Sequence, residues 1–315
     1  LDLSRAKYLA AARAAEWHAL EQQYRVLNDV RMHYYRVQGH HELVQIHRDL
    51  LKSADDNVLT TRERYNVGQA TRAEVHIANV ALQRARLDLL REENTYRQAF
   101  EAMTALIGVA MPLMPLATEL EGDLTPFDYD EALSRLMAQS PQVLAARSKL
   151  QSDRITVRRE TVQPLPDVVV EAGAGRNFEV GNTVAAARVA IEVPVFDRNQ
   201  GTIRQAEADF VRQQGEIRRL ELLLKRDLAR VYSEYLTALQ HAANYRDAIL
   251  PEARMAYELQ LRSYAANRIS WSDVLRTQQD YFMLRAEYVR NLVAWRESEV
   301  LIAGFLLHGG LMVPA

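Results

Sequence analysis

Tyr65-Asn66-Val67-Gly68-Gln69-Ala70-Thr71-Arg72-Ala73-Glu74-Val75 returns 199 residues later as Tyr264-Ala265-Ala266-Asn267-Arg268-Ile269-Ser270-Trp271-Ser272-Asp273-Val274. Each stretch opens on tyrosine, reaches a hydroxyl residue (Thr71, Ser270), and places an acid three positions further on (Glu74, Asp273). A hydroxyl at the N-cap with a carboxylate at N3 is a capping box, in which each satisfies an orphan backbone donor of the helix start. Both stretches therefore read as tight turns, with one helix ending near the tyrosine and the next beginning after the hydroxyl.

Outward from the first turn, Ser4 to Asn66 contains no proline and one glycine, Gly39. As a helix it would run roughly 90 Å at 1.5 Å per residue, far beyond the average of about 11–12 residues. Leu43, Ile46, Leu50 and Leu51 recur at the spacing of one buried helix face. A second helix continues to about Ile107, so the pair forms a long antiparallel hairpin. Around the second turn, one helix runs from about Thr202 to Ala266 and the last to about Leu307. Pro251 lies inside the former and should bend or locally break it. The hairpins are copies: Asp29 through Tyr34 matches Asp227 through Tyr232 at an offset of 198, while the turns match at 199, as does Arg86 with Arg285. A duplication follows. It divides the chain into a first repeat at 1–108, a linker at 109–127, a second repeat at 128–307 and a tail at 308–315. The linker holds Pro112, Pro115, Gly122 and Pro126.

The second repeat carries elements that the first lacks. A third helix is expected from Asp128 to about Thr161, ended by Pro164-Leu165-Pro166. A strand pair then occupies 167–195. Val168, Val170, Ala172 and Ala174 alternate, and the return strand puts Ala185, Ala187, Val189, Ile191 and Val193 on one face against Ala186, Arg188, Ala190 and Glu192 on the other. Arg176 through Asn182 supplies the turn. One apolar and one partly charged face suits a barrel strand between lipid and a wet lumen, and equally a half-buried strand of a soluble sheet.

With 48% apolar and 25% charged residues the 315-residue chain can bury a large core. Its net charge of −2 gives no reason to expect nucleic acid as a partner. It has no cysteine, hence no disulfide framework and no thiolate metal site. No apolar run is long enough for a transmembrane helix. The opening Leu1-Asp2-Leu3-Ser4 reads as the middle of something longer; if the protein is exported, its signal has been removed.

The doubled hairpin, the two turns and the junction Pro194-Val195-Phe196-Asp197-Arg198-Asn199-Gln200-Gly201 together resemble the TolC-like outer-membrane efflux family, over essentially the whole chain. The junction is most similar to the branch serving heavy-metal pumps of the cobalt–zinc–cadmium resistance type. The resemblance implies a mainly α fold with a small β part. In such a fold three chains assemble duplicated hairpins into an α-barrel and share strands in one transmembrane β-barrel. It implies a homotrimer in the outer membrane of a Gram-negative bacterium, mostly periplasmic, in contact with outer-membrane lipid. A periplasmic adaptor joins it to an inner-membrane transporter. It implies a passive duct for metal cations, with drugs or other small molecules as the alternative cargo, and neither cofactor nor enzymatic activity. Gly68, Ala70, Thr71, Arg268, Ile269 and Ser270 correspond to adaptor-contact tips, and Glu74, Tyr264 and Asp273 to a periplasmic gate. Arg276 stands where an acid is frequent, so a second acidic ring is not expected. Two strands cannot close a barrel, so a chain without the first repeat's strand pair should insert poorly into a membrane.

Simpler roles remain open for several of these residues. Glu74 and Asp273 also serve as plain capping acids. His40 and His47 share a helix face, but two histidines make a poor zinc site, and packing or solvation accounts for them. A non-channel coiled-coil scaffold would also have long duplicated helices, though it would need neither the strand pair nor matching turn residues.

Overall fold

The computed structural model describes residues 2–117, 120–122, 124, 126–165, 168–176, 179, 181, 183–191, 198–266 and 268–312. Seven α-helices and two strands follow in order among them: α1 (Asp2–Asn66), α2 (Arg72–Ile107), α3 (Tyr129–Gln139), α4 (Pro141–Val162), β1 (Val168–Arg176), β2 (Thr183–Ile191), α5 (Gln200–Asn244), α6 (Leu250–Ala265) and α7 (Trp271–Ala303). Contacts divide the chain into two units, each drawing on both repeats. One comprises Leu1–Leu20 with Met137–Leu223, the other Glu21–Leu136 with Leu224–Ala315.

In the larger unit the antiparallel α1/α2 hairpin is fixed by two apolar clusters. Nearer the turn, Ala54 and Val58 pack on Ala78, Leu82 and Ala85. Further up, Val37 meets Phe100 and Met103, with Tyr34 and Tyr96 at the edge. Gly39 lets α7 pack close against α1, since a Cβ there would overlap Val293 Cγ2. Trp295, Val289 and Leu292 bury the facing side of α7.

The residues after α7 are held by α1. Asn28, fully buried, donates from Nδ2 to the Gly304 and Leu307 carbonyls at 2.9 and 2.8 Å. Asp29 accepts the backbone N–H groups of Gly309 and Gly310 at 3.0 and 2.6 Å. Four orphan groups near a helix end are thereby satisfied by two adjacent side chains.

The expected third helix is two helices, a correction to the reading above. Pro141 occupies the first turn of α4, has no N–H to offer α3, and disfavours helical geometry in the residue before it. Ser140 accordingly sits at φ −59°, ψ 127°. The break expected at Pro251 is present but displaced: Tyr245–Ile249 form a π turn, with the Leu250 N–H bonded to the Tyr245 carbonyl, and Pro251 falls in the first turn of α6. The offset between repeats changes from 198 to 199 between Tyr232 and Tyr264, and the π turn lies within that interval. A π turn holds one more residue than an α turn at the same place. The second hairpin thus takes up an extra residue without rotating the helix below it. Ala54, Val58 and Thr61 of α1 are buried, and their counterparts at 199, Ala253, Tyr257 and Gln260, are half-buried on α6.

In the smaller unit, α4 and α5 are tied by Arg147–Glu221 at 3.3 Å and by Gln213 donating to the Ala146 carbonyl at 3.3 Å. Asn199, left-handed at φ 59°, donates from Nδ2 to the Glu160 carboxylate at 2.9 Å. β1 and β2 pair antiparallel from Val168↔Ile191 to Arg176↔Thr183. That register puts Val168, Val170, Ala172 and Ala174 on one face with Ile191, Val189, Ala187 and Ala185, and sets Glu171 opposite Arg188 on the other. Every residue of β1 is exposed, so among the described residues nothing covers the apolar face. The expected turn at 177–182 and the junction at 194–197 lie largely outside the described residues.

Candidate functional site

The two turns are built alike from the backbone upward. At the first, the Gln69 N–H reaches back to the Arg64 carbonyl at 2.8 Å and the Gly68 N–H to the Tyr65 carbonyl at 3.0 Å. This is the Schellman closure, which needs a left-handed residue; Gly68 supplies it at φ 74° with open space around it. At the second, the Arg268 N–H bonds to the Ser263 carbonyl at 2.9 Å, the same bond 199 residues on. Asn267, at the glycine's counterpart, lies outside the described residues. Ala70, Thr71, Ile269 and Ser270 follow in the connections, and Gly68 and Arg268 are exposed.

Both capping boxes form. Thr71 N–H and hydroxyl meet the Glu74 carboxylate at 2.6 and 2.9 Å, and the Glu74 N–H returns to the Thr71 hydroxyl at 3.2 Å. Ser270 repeats the pattern with Asp273, its hydroxyl 2.6 Å and its N–H 3.2 Å from the carboxylate. Each acid is held below its usual range: Glu74 by the Thr71 backbone N–H and then its hydroxyl, Asp273 by the Ser270 hydroxyl and then its N–H. A depressed folded pKa means the cap contributes fully above the unfolded values, about 4.3 for Glu and 3.9 for Asp, and is lost as pH falls through the lower folded ones. Thr71→Ala is expected to destabilise the first turn of α2 by about 1 kcal/mol. Amide exchange at Glu74 and Val75 should quicken accordingly, with the hairpin above unchanged. In the unsubstituted protein the same fraying should appear only in acid.

Tyr264 bonds to neither acid among the described residues. Its ring packs on Trp271, centroids 4.7 Å apart, and the Arg64 guanidinium of the first hairpin lies 5.7 Å over it. The two tips therefore meet through an Arg64–Tyr264–Trp271 stack. Trp271 escaped the sequence reading, although an aromatic residue directly after an N-cap, at a turn whose copy has Arg72, marks where the repeats diverge. Of the histidines, His40 bonds Glu92 at 2.6 Å and His41 bonds Gln45 at 3.4 Å. Among the described residues no three His, Cys, Asp or Glu side chains converge on a metal position.

Matched hairpin tips in one unit and, in the other, a strand pair whose apolar face is exposed among the described residues define a class of protein completed by further strands, by lipid, or by both. The chain belongs to the outer membrane efflux protein family, whose model matches residues 2–109 and 132–306. It is 30% identical over 222 residues to the cobalt-zinc-cadmium resistance protein CzcC of Cupriavidus metallidurans, across 70% of this chain and 51% of that one. It is 24% identical over 260 residues to the antibiotic efflux pump outer membrane protein ArpC of Pseudomonas putida, across 80% of this chain and 49% of that one. The chain thus spans about half the length of these relatives. The crystal structure of the outer membrane protein VceC from Vibrio cholerae shares the fold at TM-score 0.76 and 17% identity, covering 98% of this chain and 76% of that one. The family consists of efflux channels, not enzymes.

Proposed function

We propose that the chain is the channel subunit of a tripartite efflux pump, a passive duct through periplasm and outer membrane for metal cations. Three copies close the α-barrel and pool their strands, so that the uncovered apolar face of β1 and β2 meets outer-membrane lipid. Most of the chain then lies in the periplasm. The repeats 1–108 and 128–307, joined by 109–127, supply one hairpin each. Gly68, Ala70, Thr71, Arg268, Ile269 and Ser270 meet a periplasmic adaptor, through which an inner-membrane transporter delivers cargo. Glu74, Tyr264 and Asp273 guard the entrance, where three copies of the acids favour cations.

The observation that carries this reading is the pair of like-built tips, exposed at their turns and joined by Arg64 over Tyr264. Metal as cargo is supported by the 30% identity to a cobalt-zinc-cadmium resistance protein. Full-length protein should be expressed with its adaptor and transporter in a strain lacking its own copy. Ile269→Asp is expected to leave the protein in the outer membrane, abolish co-purification of the adaptor, and lower tolerated zinc and cadmium about tenfold, the loss of one well-packed contact. A fall in antibiotic tolerance alone would make the cargo organic, while unchanged tolerance and adaptor binding would remove the tips from the adaptor interface.

A further inference from the structure

The smaller unit holds an open groove of about 740 Å³ between α4 and α5. That volume falls in the range of small-molecule sites, roughly 300–1,000 Å³. Leu150, Val157 and Phe210 form half-buried apolar walls, and Val162, 44% exposed, lines the end nearest the strands.

Charge is distributed unevenly around it. Three of the basic side chains of α4 have acidic partners: Arg147 with Glu221 at 3.3 Å, Lys149 with Asp153 at 2.5 Å, and Arg159 with Glu160 at 2.5 Å. The remaining two, Arg154 and Arg158, form no ion pair among the described residues, and both line the groove. They stand one helical turn apart on the same face, where like charges repel. Glu207, a turn before Phe210 on α5, is exposed and pairs with neither. Two unanswered guanidiniums beside apolar walls are complementary to an anion with an apolar body, and arginine grips phosphate through paired, charge-assisted hydrogen bonds.

The place of the groove selects the anion. α4 ends at Val162 and β1 begins at Val168, and Arg154 lies roughly 12 Å along the helix from Val162. With the strand pair in the bilayer, this last stretch of α4 is the helix beside the headgroup layer, where basic pockets hold lipid phosphates. We propose that the groove seats an anionic phospholipid, its phosphate held by Arg154 and Arg158 and an acyl chain running past Val157 and Val162 toward the strands. The choice of a lipid over a free phosphate rests on the channel reading above. A lipid so held would fix the depth at which the helical body meets the membrane.

Titration of full-length protein in dodecyl maltoside, followed by native mass spectrometry, tests the site apart from the channel reading, which fails on adaptor binding and insertion instead. Dioctanoyl phosphatidylglycerol should bind about tenfold more tightly than dioctanoylglycerol, which has the same chains without the phosphate, and than inorganic phosphate, which has no chains. Arg154→Gln and Arg158→Gln should each weaken the phospholipid about tenfold, and Arg219→Gln, on α5 and paired with Glu216, should not. Arg154 and Arg158 are exposed, so their variants should fold with an unchanged or slightly raised melting temperature as the repulsion between them is relieved. Inorganic phosphate binding as tightly as the phospholipid would make this an ion site and overturn the lipid. Equal binding of dioctanoylglycerol, undiminished binding in both variants, or no saturable binding because a second copy fills the groove would overturn the proposal as a whole.

Discussion

Arginine in place of both Val170 and Val189 is expected to keep the full-length protein out of the outer membrane. The two residues pair across the strands and are 68% and 66% exposed on the apolar face. If that face meets lipid, each arginine near the bilayer midplane costs about 2–4 kcal/mol, and a trimer would carry six of them. Membrane fractionation should show the variant lost from the outer-membrane fraction, with metal tolerance falling alongside. Glu171→Lys, on the opposite face, should insert normally, since a water-filled lumen tolerates either charge. Equal tolerance of both changes would mean that the valine face looks at water or protein, and the β part would need another assignment.

Trp295→Ala is expected to be the most destabilising single change in the helical body. The indole is 1% exposed in the C-terminal third of α7, and removing such a side chain from a core costs about 3–5 kcal/mol. A second loss compounds it. The Arg296 guanidinium lies 4.3 Å over the Trp295 ring while its Nε donates to the Leu120 carbonyl at 3.0 Å and Nη1 pairs with Glu299 at 2.8 Å. The same ring thus supports the arginine that anchors the linker near Leu120. Denaturant titration in detergent should show a markedly lower midpoint, and amide exchange near residue 120 should rise more than at the tips. Trp295→Phe, which keeps most of the ring, should recover the larger part.

Local chemistry made much of this structure readable from the sequence. The capping boxes at Thr71 and Ser270 depend on residues three apart, and the strand faces depend on strict alternation. Tertiary partners were not readable in this way. Nothing near Asn28 or Asp29 says that they will bind residues 280 positions away, and Gly39 shows its purpose only once Val293 is beside it. Ser140-Pro141 was legible and went unread, because the apolar spacing runs on through the break. Tyr264 carried a gate role by resemblance, yet within one chain it stacks with Trp271 and Arg64. That pairing depends on two hairpins lying side by side, which sequence spacing does not encode.

The π turn at Tyr245–Ile249 also records history. A duplication yields two halves of equal length, so the residue by which the offset grows from 198 to 199 arose after the copies had separated. Absorbed into an ordinary helix, it would have turned everything beyond by about 100° and faced the lower second hairpin away from its neighbours. Confined to one wide turn, the insertion left Tyr257, Gln260 and Tyr264 aligned with Val58, Thr61 and Tyr65, and could be inherited with the tip intact. Residue equivalences between the halves therefore change by one at this turn. A substitution carried from one hairpin to the other must be renumbered there, or it lands on the wrong side of the helix.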